Sequence, residues 1–178
     1  MIAVSDNELV QKCLDGDTAA FGLLVDRYQK PVYNAALRIL GDSDEAQDVT
    51  QDTFVRAYQH LSGYNAHQKF FSWLYRIAIN VSLSTIEHRR REEHLDDDPP
   101  SDESSIESKI DRFDRAALVE EALRRLSFDH RTAIILRHYL DLSYADIATV
   151  LSLPERTVRS RIYEARQELK RLLIPALS

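Results

Sequence analysis

The sequence predicts an all-α protein built as two small helical domains joined by an acidic flexible linker. Apolar residues recur at spacings of three and four through nearly the whole chain, and helix-start residues precede each such run. Between the runs one short segment, EEHLDDDPPSDESSIESKID from Glu92, combines acids, serines and paired prolines and has no apolar rhythm. The expected units are residues 1–91, a linker over 92–114, and residues 115–178.

The first unit reads as four helices. Ser5-Asp6-Asn7-Glu8 has the Ser-x-x-Glu spacing that satisfies the free amides of a helix start, and Gly16 can supply a left-handed stop. Asp17 caps a longer helix whose Phe21, Leu24, Val25, Tyr28, Val32, Ala35, Ala36, Ile39 and Leu40 run to Gly41, with an expected kink at Pro31. Asp42 or Ser43 starts a third through Ala46, Val49, Phe54, Ala57, Tyr58 and Leu61. A loop from Ser62 to His67 precedes a fourth from Lys69 to Arg91. There Phe70, Trp73, Leu74, Ile77, Ala78 and Val81 form the expected buried stripe, while Ser72, Arg76, Asn80, Ser84 and His88 fall near the opposite face. Such a helix is either a core element with a solvated side or a surface for a nucleic-acid strand. The run Arg89-Arg90-Arg91 is likewise either a helix end complementing its dipole or a phosphate contact.

After the linker, Phe113, Ala116, Ala117, Val119, Leu123 and Leu126 mark another helix, and Ser127 caps the next, through Ile134, Ile135 and Tyr139 to Leu140. Ser143 to Asp146 opens a short helix ending near Leu151. Ser152-Leu153-Pro154 turns the chain, and Glu155 begins a final helix that must end before Pro175. A short helix, a tight turn and a long amphipathic helix have helix-turn-helix proportions. Val158, Ile162, Ala165, Leu169 and Leu172 share the expected buried side. Arg156, Arg159, Ser160, Tyr163, Arg166 and Lys170 share the other, where guanidinium groups reach phosphates and guanine edges. An ordinary α-hairpin with a solvated basic face is the alternative.

Charge first argues against nucleic acid, since 23 Lys and Arg face 29 Asp and Glu. Its distribution reverses the argument. Residues 92–114 hold 10 acids and 2 bases, whereas residues 115–178 hold 11 bases and 8 acids. The 23-residue linker could span ~75 Å if extended, enough to put the two units on separated sites of one DNA.

Asp44, Asp48 and Asp52 are spaced by four on one face of the third helix, where like charges cost a few tenths of a kcal/mol per pair. A docking face for a basic protein surface, a solvated acidic face and a di-metal carboxylate site all remain open. The last lacks the expected Glu-x-x-His partners, and the six histidines form no ligand spacing with each other or with Cys13. No metal or cofactor is expected. Glycine-rich phosphate loops, Ser/His/Asp sets and CxxC pairs are missing, so an autonomous enzyme finds no support. The lone Cys13, the lack of a secretory start and the lack of an ~18 to 20 residue apolar run predict a soluble, cytoplasmic protein without membrane contact of its own.

Together these stretches resemble a sigma factor of the extracytoplasmic-function (group 4) sigma-70 family. Asp48-Val49-Thr50-Gln51-Asp52-Thr53-Phe54 resembles the family's Asp-Leu-x-Gln-Glu-x-Phe segment of region 2.2. Phe71 to Asn80 resembles the Trp-Leu-x-x-Ile-Ala-x-Asn segment running from region 2.3 into 2.4, and Leu142 to Arg161 resembles the helix-turn-helix of region 4.2. The resemblance implies a stress-response specificity subunit that binds core RNA polymerase, reads −35 and −10 promoter elements and melts the −10 region, with no catalytic residues. It implies docking of Asp44, Asp48, Gln51 and Asp52 on the β′ clamp helices and of the last domain on the β flap. It implies −10 contacts by Tyr64, Asn65, Arg76, Asn80, Ser84, Arg89 and Arg90, with Tyr64 stacking on a flipped base. It implies −35 contacts by Arg156, Arg159, Ser160, Tyr163 and Arg166, and an anti-sigma partner. The chain departs from the family in having Tyr64-Asn65-Ala66 where Phe-Arg-Gly is frequent, Ser127 in place of a proline, Ser152 or Leu153 where the turn usually holds Gly, and Glu164 where a base is frequent. A conventional helix-turn-helix regulator and a mimic that only sequesters an anti-sigma protein are the competing readings.

Overall fold

A computed structural model describes residues 4–93 and 112–174, and every regular element in them is helical. Helix α1, Asp6–Leu14, starts on the expected reciprocal cap: Glu8 N donates to Ser5 Oγ, and Ser5 N donates to Glu8 Oε2 at 2.8 Å. Helix α2, Thr18–Leu40, is capped by Asp17, which accepts from Ala19 N, and stops at Gly41 in the left-handed region with φ 78°. Pro31 lies within α2 without ending it. Helix α3, Ser43–Gln59, hangs on Asp42, whose Oδ1 accepts from both Asp44 N and Glu45 N. A 3-10 turn, Leu61–Gly63, leads into α4, Phe70–Glu93.

The second unit contains α5, Arg112–Arg125, and α6, Phe128–Ile134, whose Ser127 cap accepts from His130 N. Where the sequence predicts one continuous helix to Leu140, the chain winds instead into a π turn over Ile135–Tyr139, with Leu140 N donating to Ile135 O. Helix α7, Tyr144–Leu151, begins on Ser143, which accepts from Asp146 N and donates to Asp146 Oδ2. Ser152, φ 54°, makes the left-handed turn that ends α7, and α8, Glu155–Leu173, follows. Val158, Ile162 and Ala165 are buried as expected.

The two units do not stand apart. A single buried cluster runs from Leu24, Val49 and Leu74 of the first into Ile135, Leu136, Ile147 and Val150 of the second. A smaller one, with Leu123, Leu126, Ile134 and Ala165, fills the far side of the second unit. The seam carries sequence-distant polar links. Lys69 Nζ meets both Asp146 oxygens at 2.8 and 3.1 Å, Arg76 donates to Thr149 O, and Arg131 donates to Ile39 O at the end of α2. Arg38 lies 3.5 Å from Glu120 and 4.2 Å from the centre of the Tyr139 ring.

This packing corrects the expected faces of α4. Phe70, Leu74, Ala78 and Val81 are buried as predicted, but so are Ser72, 2% exposed, Tyr75 and Ile79, because the second unit covers a side of the helix that the sequence pattern leaves to solvent. Trp73 and Ile77 are only half-buried. Burial pushes the Tyr75 phenol up to about 12 from its ordinary 10. Its neutral form therefore supports the fold below pH 10, and that support is lost as pH rises from 10 through about 12. Urea unfolding should weaken over this window, with Tyr75 supplying on the order of 2 kcal/mol of the loss. Tyr75→Phe should flatten the slope.

Gly41 offers a separate check. Its φ is left-handed, and an added Cβ would approach Arg124 Cδ to 3.2 Å. Gly41→Ala should cost about 1 to 2 kcal/mol in chemical denaturation, with the higher end expected if Arg124 cannot shift.

Candidate nucleic-acid and docking faces

Helix α8 is amphipathic in the sense its sequence requires. Its buried side packs on α6 and α7, which leaves Arg156, Arg159, Ser160, Tyr163 and Arg166 all exposed in one row, Tyr163 by 64%. Arg159 is held rather than free: it pairs with Glu155, and its guanidinium carbon sits 4.5 Å from the centre of the Tyr144 ring at the start of α7. Ser160 Oγ donates to Glu164 Oε1 at 3.3 Å. Arg161 points elsewhere, and its 2.9 Å pair with Asp129 ties α8 to α6. The orientation of the row therefore follows from packing and from an ion pair beneath it. A cationic row with a hydroxyl and a phenol suits phosphates and base edges.

Helix α4 presents a more complex face. Asn80, Ser84 and Arg90 are exposed, Arg89 is half-buried and pairs with Glu45 at 3.1 Å, and Arg76 is half-buried beneath α7. Next to Asn80 lies a cleft of about 290 Å³ lined by Arg56, His60, Trp73, Ile77, Asn80 and Val81. An aromatic wall with an amide and a guanidinium at its edge can hold an unstacked base. Tyr64 lies differently from the expectation of a free stacking ring. Its ring packs 5.6 Å from Phe70 and 5.4 Å from Trp73, and its hydroxyl donates to Gln68 O at 2.5 Å and lies 2.8 Å from Asn7 Oδ1. Burial, with Asp6 adding, raises its pKa. Asn65 is exposed and accepts from His67 N, so it shapes the loop.

The acidic face of α3 is present and asymmetric. Asp44 and Asp48 are exposed, while Asp52 pairs with Arg56 at 2.8 Å. Gln51 lies at the edge of a groove of about 820 Å³ between α2 and α3, which is floored by Phe21 and Phe54 and flanked by Val55 and Tyr58, each nearly half exposed. Phe21 packs edge-on against both Phe54 and Tyr58. Among the described residues no group of three or more His, Cys, Asp or Glu is placed to hold a metal ion, and no helix is long and apolar enough to cross a membrane.

Residues 24–92 match the Sigma-70 region 2 family model and residues 116–169 match Sigma-70, region 4. The RNA polymerase sigma-H factor of Pseudomonas aeruginosa is 38% identical over 97% of this chain and 95% of its own length. The ECF RNA polymerase sigma-E factor of Haemophilus influenzae is 32% identical over 98% of both chains. The chain belongs to the extracytoplasmic-function group of the sigma-70 family. It is a specificity subunit that directs promoter-specific initiation by RNA polymerase, not a catalyst in its own right. Solved sigma factors share the fold. CnrH in complex with the cytosolic domain of CnrY gives a TM-score of 0.74 at 28% identity, over 94% of this chain and 96% of that one. RpoE in complex with the anti-sigma factor NepR from Bartonella quintana gives 0.71 at 27% identity, over 86% and 96%.

Sequence reasoning missed three parts of this sigma factor. The apolar groove is hidden in the sequence because Phe54 and Tyr58 read as part of the core stripe and Val55 stands apart from it. Its signal was a second row on α3, Gln47, Gln51, Phe54, Val55 and Tyr58, at helical spacing. Arg56 and His60 were passed over because they reach the α4 cleft from another helix, and Arg131 because its carbonyl partners are far away in sequence. Trp73, the sole tryptophan, is only partly buried where the stripe predicts full burial. Trp73→Ala should cost roughly 2 kcal/mol in urea unfolding, below the ~3 to 5 kcal/mol of a fully buried aromatic.

Proposed function

We propose that this sigma factor docks on core RNA polymerase through α3 and reads promoter DNA with α8 and α4. The row Arg156, Arg159, Ser160, Tyr163 and Arg166, exposed on a helix whose other side is buried, is the observation that carries the reading, and it suits a −35 duplex. The domain limits follow as residues 1–91 and 115–178 with the acidic linker 92–114 between them, which lies mostly outside the described residues.

Docking uses Asp44, Asp48, Gln51 and Asp52 as a polar rim and the α2–α3 groove as an apolar seat, a combination suited to the β′ clamp helices. The second unit sits on the β flap. At the −10 element Asn80, Ser84, Arg89 and Arg90 contact the melted strand, with Arg76 joining them. The cleft with Trp73 and Arg56 receives a base, while Tyr64 and Asn65 form its adjoining loop rather than the stacking surface itself. An anti-sigma partner follows from kinship with RpoE, which was solved bound to one. Action on the transcription machinery puts the protein in the cytoplasm.

Asp48 is exposed, so Asp48→Arg should leave the thermal melt unchanged and weaken binding to sigma-free core polymerase at least tenfold in a pull-down titration. Wild-type protein that fails to bind core would overturn the reading. Arg159→Ala should cost roughly 1 to 3 kcal/mol in promoter binding by the reconstituted holoenzyme and relax discrimination at one −35 position. A uniform loss over all sequences would make Arg159 a phosphate contact.

A further inference from the structure

None of the residues assigned to DNA or to core docking lies on α1, yet the first turn of that helix holds the edge of the α4 cleft. The reciprocal cap of Ser5 and Glu8 fixes where α1 starts, and the buried Leu9 and Val10 seat it on the first unit. Asp6 and Asn7 are thereby set side by side on a rigid element, and each meets a tyrosine hydroxyl. Tyr28 of α2 donates to Asp6 Oδ2 at 2.6 Å, while Arg27 pairs with the same carboxylate and donates to Val4 O at 2.9 Å. Asn7 reaches instead to the loop before α4. Its Nδ2 donates to Ala66 O at 3.1 Å, which turns Oδ1 toward the Tyr64 hydroxyl, 2.8 Å away. That hydroxyl has one proton and a second acceptor, Gln68 O at 2.5 Å, so it is held between α1 and the approach to α4. One amide side chain thus clasps the loop at two points.

The aromatic rings carry this clasp to the cleft. Tyr28 and Tyr64 lie 5.7 and 5.6 Å from Phe70, which is 1% exposed, and Phe70 and Tyr64 lie 5.7 and 5.4 Å from Trp73. The four rings are continuous, and consecutive residues of α1 hold the hydroxyls of both tyrosines. Trp73 is the outer end of the series and the aromatic wall of the cleft of about 290 Å³. A ring that is only partly buried takes its position from what stands behind it. Phe70 is enclosed in a close-packed core and cannot shift freely. Tyr64 belongs to a loop, and its place depends on Asn7 and Gln68. A binding wall works only when held to within about half an ångström, so the support of Tyr64 bears directly on what the cleft accepts.

We propose that Asn7 is a positioning residue for the −10 base cleft: it clasps the loop at Tyr64 and Ala66 and so sets the Trp73 wall against which a base is received. The proposal rests on the cleft taking a base of the melted strand. Helix α1 then acts on base selection without touching DNA.

The test uses the full chain. Asn7 is exposed, so its replacement spares the core, and Trp73 is the sole tryptophan, so its emission and acrylamide quenching report the wall directly. A pool of short single strands of random sequence, captured by holoenzyme reconstituted with core polymerase and then sequenced, reports base preference. Asn7→Ala and Tyr64→Phe should each raise Trp73 quenching and weaken capture of the wild-type consensus about fivefold, the scale of one lost hydrogen bond. The preference should flatten at one position of the strand and persist at the others. Combined, the two substitutions should do no more than Asn7→Ala alone, because both break the same link. Gln11→Ala, which removes an exposed bond to Asp15 within α1, should change neither readout. Quenching unmoved by Asn7→Ala would overturn the clasp. Additive losses in the double variant would overturn it as well, since Asn7 would then meet the strand in its own right. So would a loss spread over every position, or the same response from Gln11→Ala. A wild-type holoenzyme that enriches no base, while Trp73 still responds to Asn7→Ala, would overturn the cleft as a base receiver and leave the clasp standing, so the two failures are told apart.

Discussion

Helix α4 is wedged between neighbours, and nearly everything else in the molecule is set by what each of its sides must touch. Phe70, Leu74, Ala78 and Val81 fill the first unit's core against α2 and α3. Another side meets α7, and what remains, around Trp73, Ile77 and Asn80, walls the cleft opposite Arg56 and His60. A helix buried on two sides has little surface left to offer, so its polar residues are divided between contacts within the protein and contacts beyond it. Arg76 is the position where the two demands meet.

Arginine carries most of the polar construction, and it does so in two distinct ways. Arg131 donates to Ile39 O, Arg124 O and Leu126 O, tying the C-terminal ends of α2 and α5 together where helix carbonyls lack partners. Arg161, paired with Asp129, fixes the roll of α8 against α6. These are structural uses, with the guanidinium turned inward. Arg156, Arg159 and Arg166 are turned outward from the same helix that Arg161 anchors, so residue type alone does not separate the two groups. Helical phase does: Arg161 precedes the buried Ile162, and its side reaches α6, whereas Arg159 and Arg166 are seven apart on the open side.

Much of the fold was legible because its signals are local. The caps at Ser5, Asp17, Asp42, Ser127 and Ser143 each act within three residues of themselves, and the stripes of α2 and α8 follow directly from helical spacing. What the sequence did not reveal depends on partners far away along the chain. Ser72 reads as part of a polar side, yet it is buried in a helix that packs on α7, some seventy residues later in the chain. The π turn at Ile135 to Tyr139 has no propensity signature that distinguishes it from an α-helix. The candidate site divides along the same line. The α8 row was readable from spacing, the α2–α3 groove required two helices to be brought together, and the surroundings of Arg76 could be judged only once the second unit was in place.

The net negative charge is then no contradiction in a DNA-reading protein. Ten of its 29 acids lie within residues 92–114, and residues 1–91 and 115–178 are near neutral or basic. Affinity for phosphate grows with the number of cations brought to the backbone, so a small protein with one open cationic row has a weak electrostatic hold on DNA by itself.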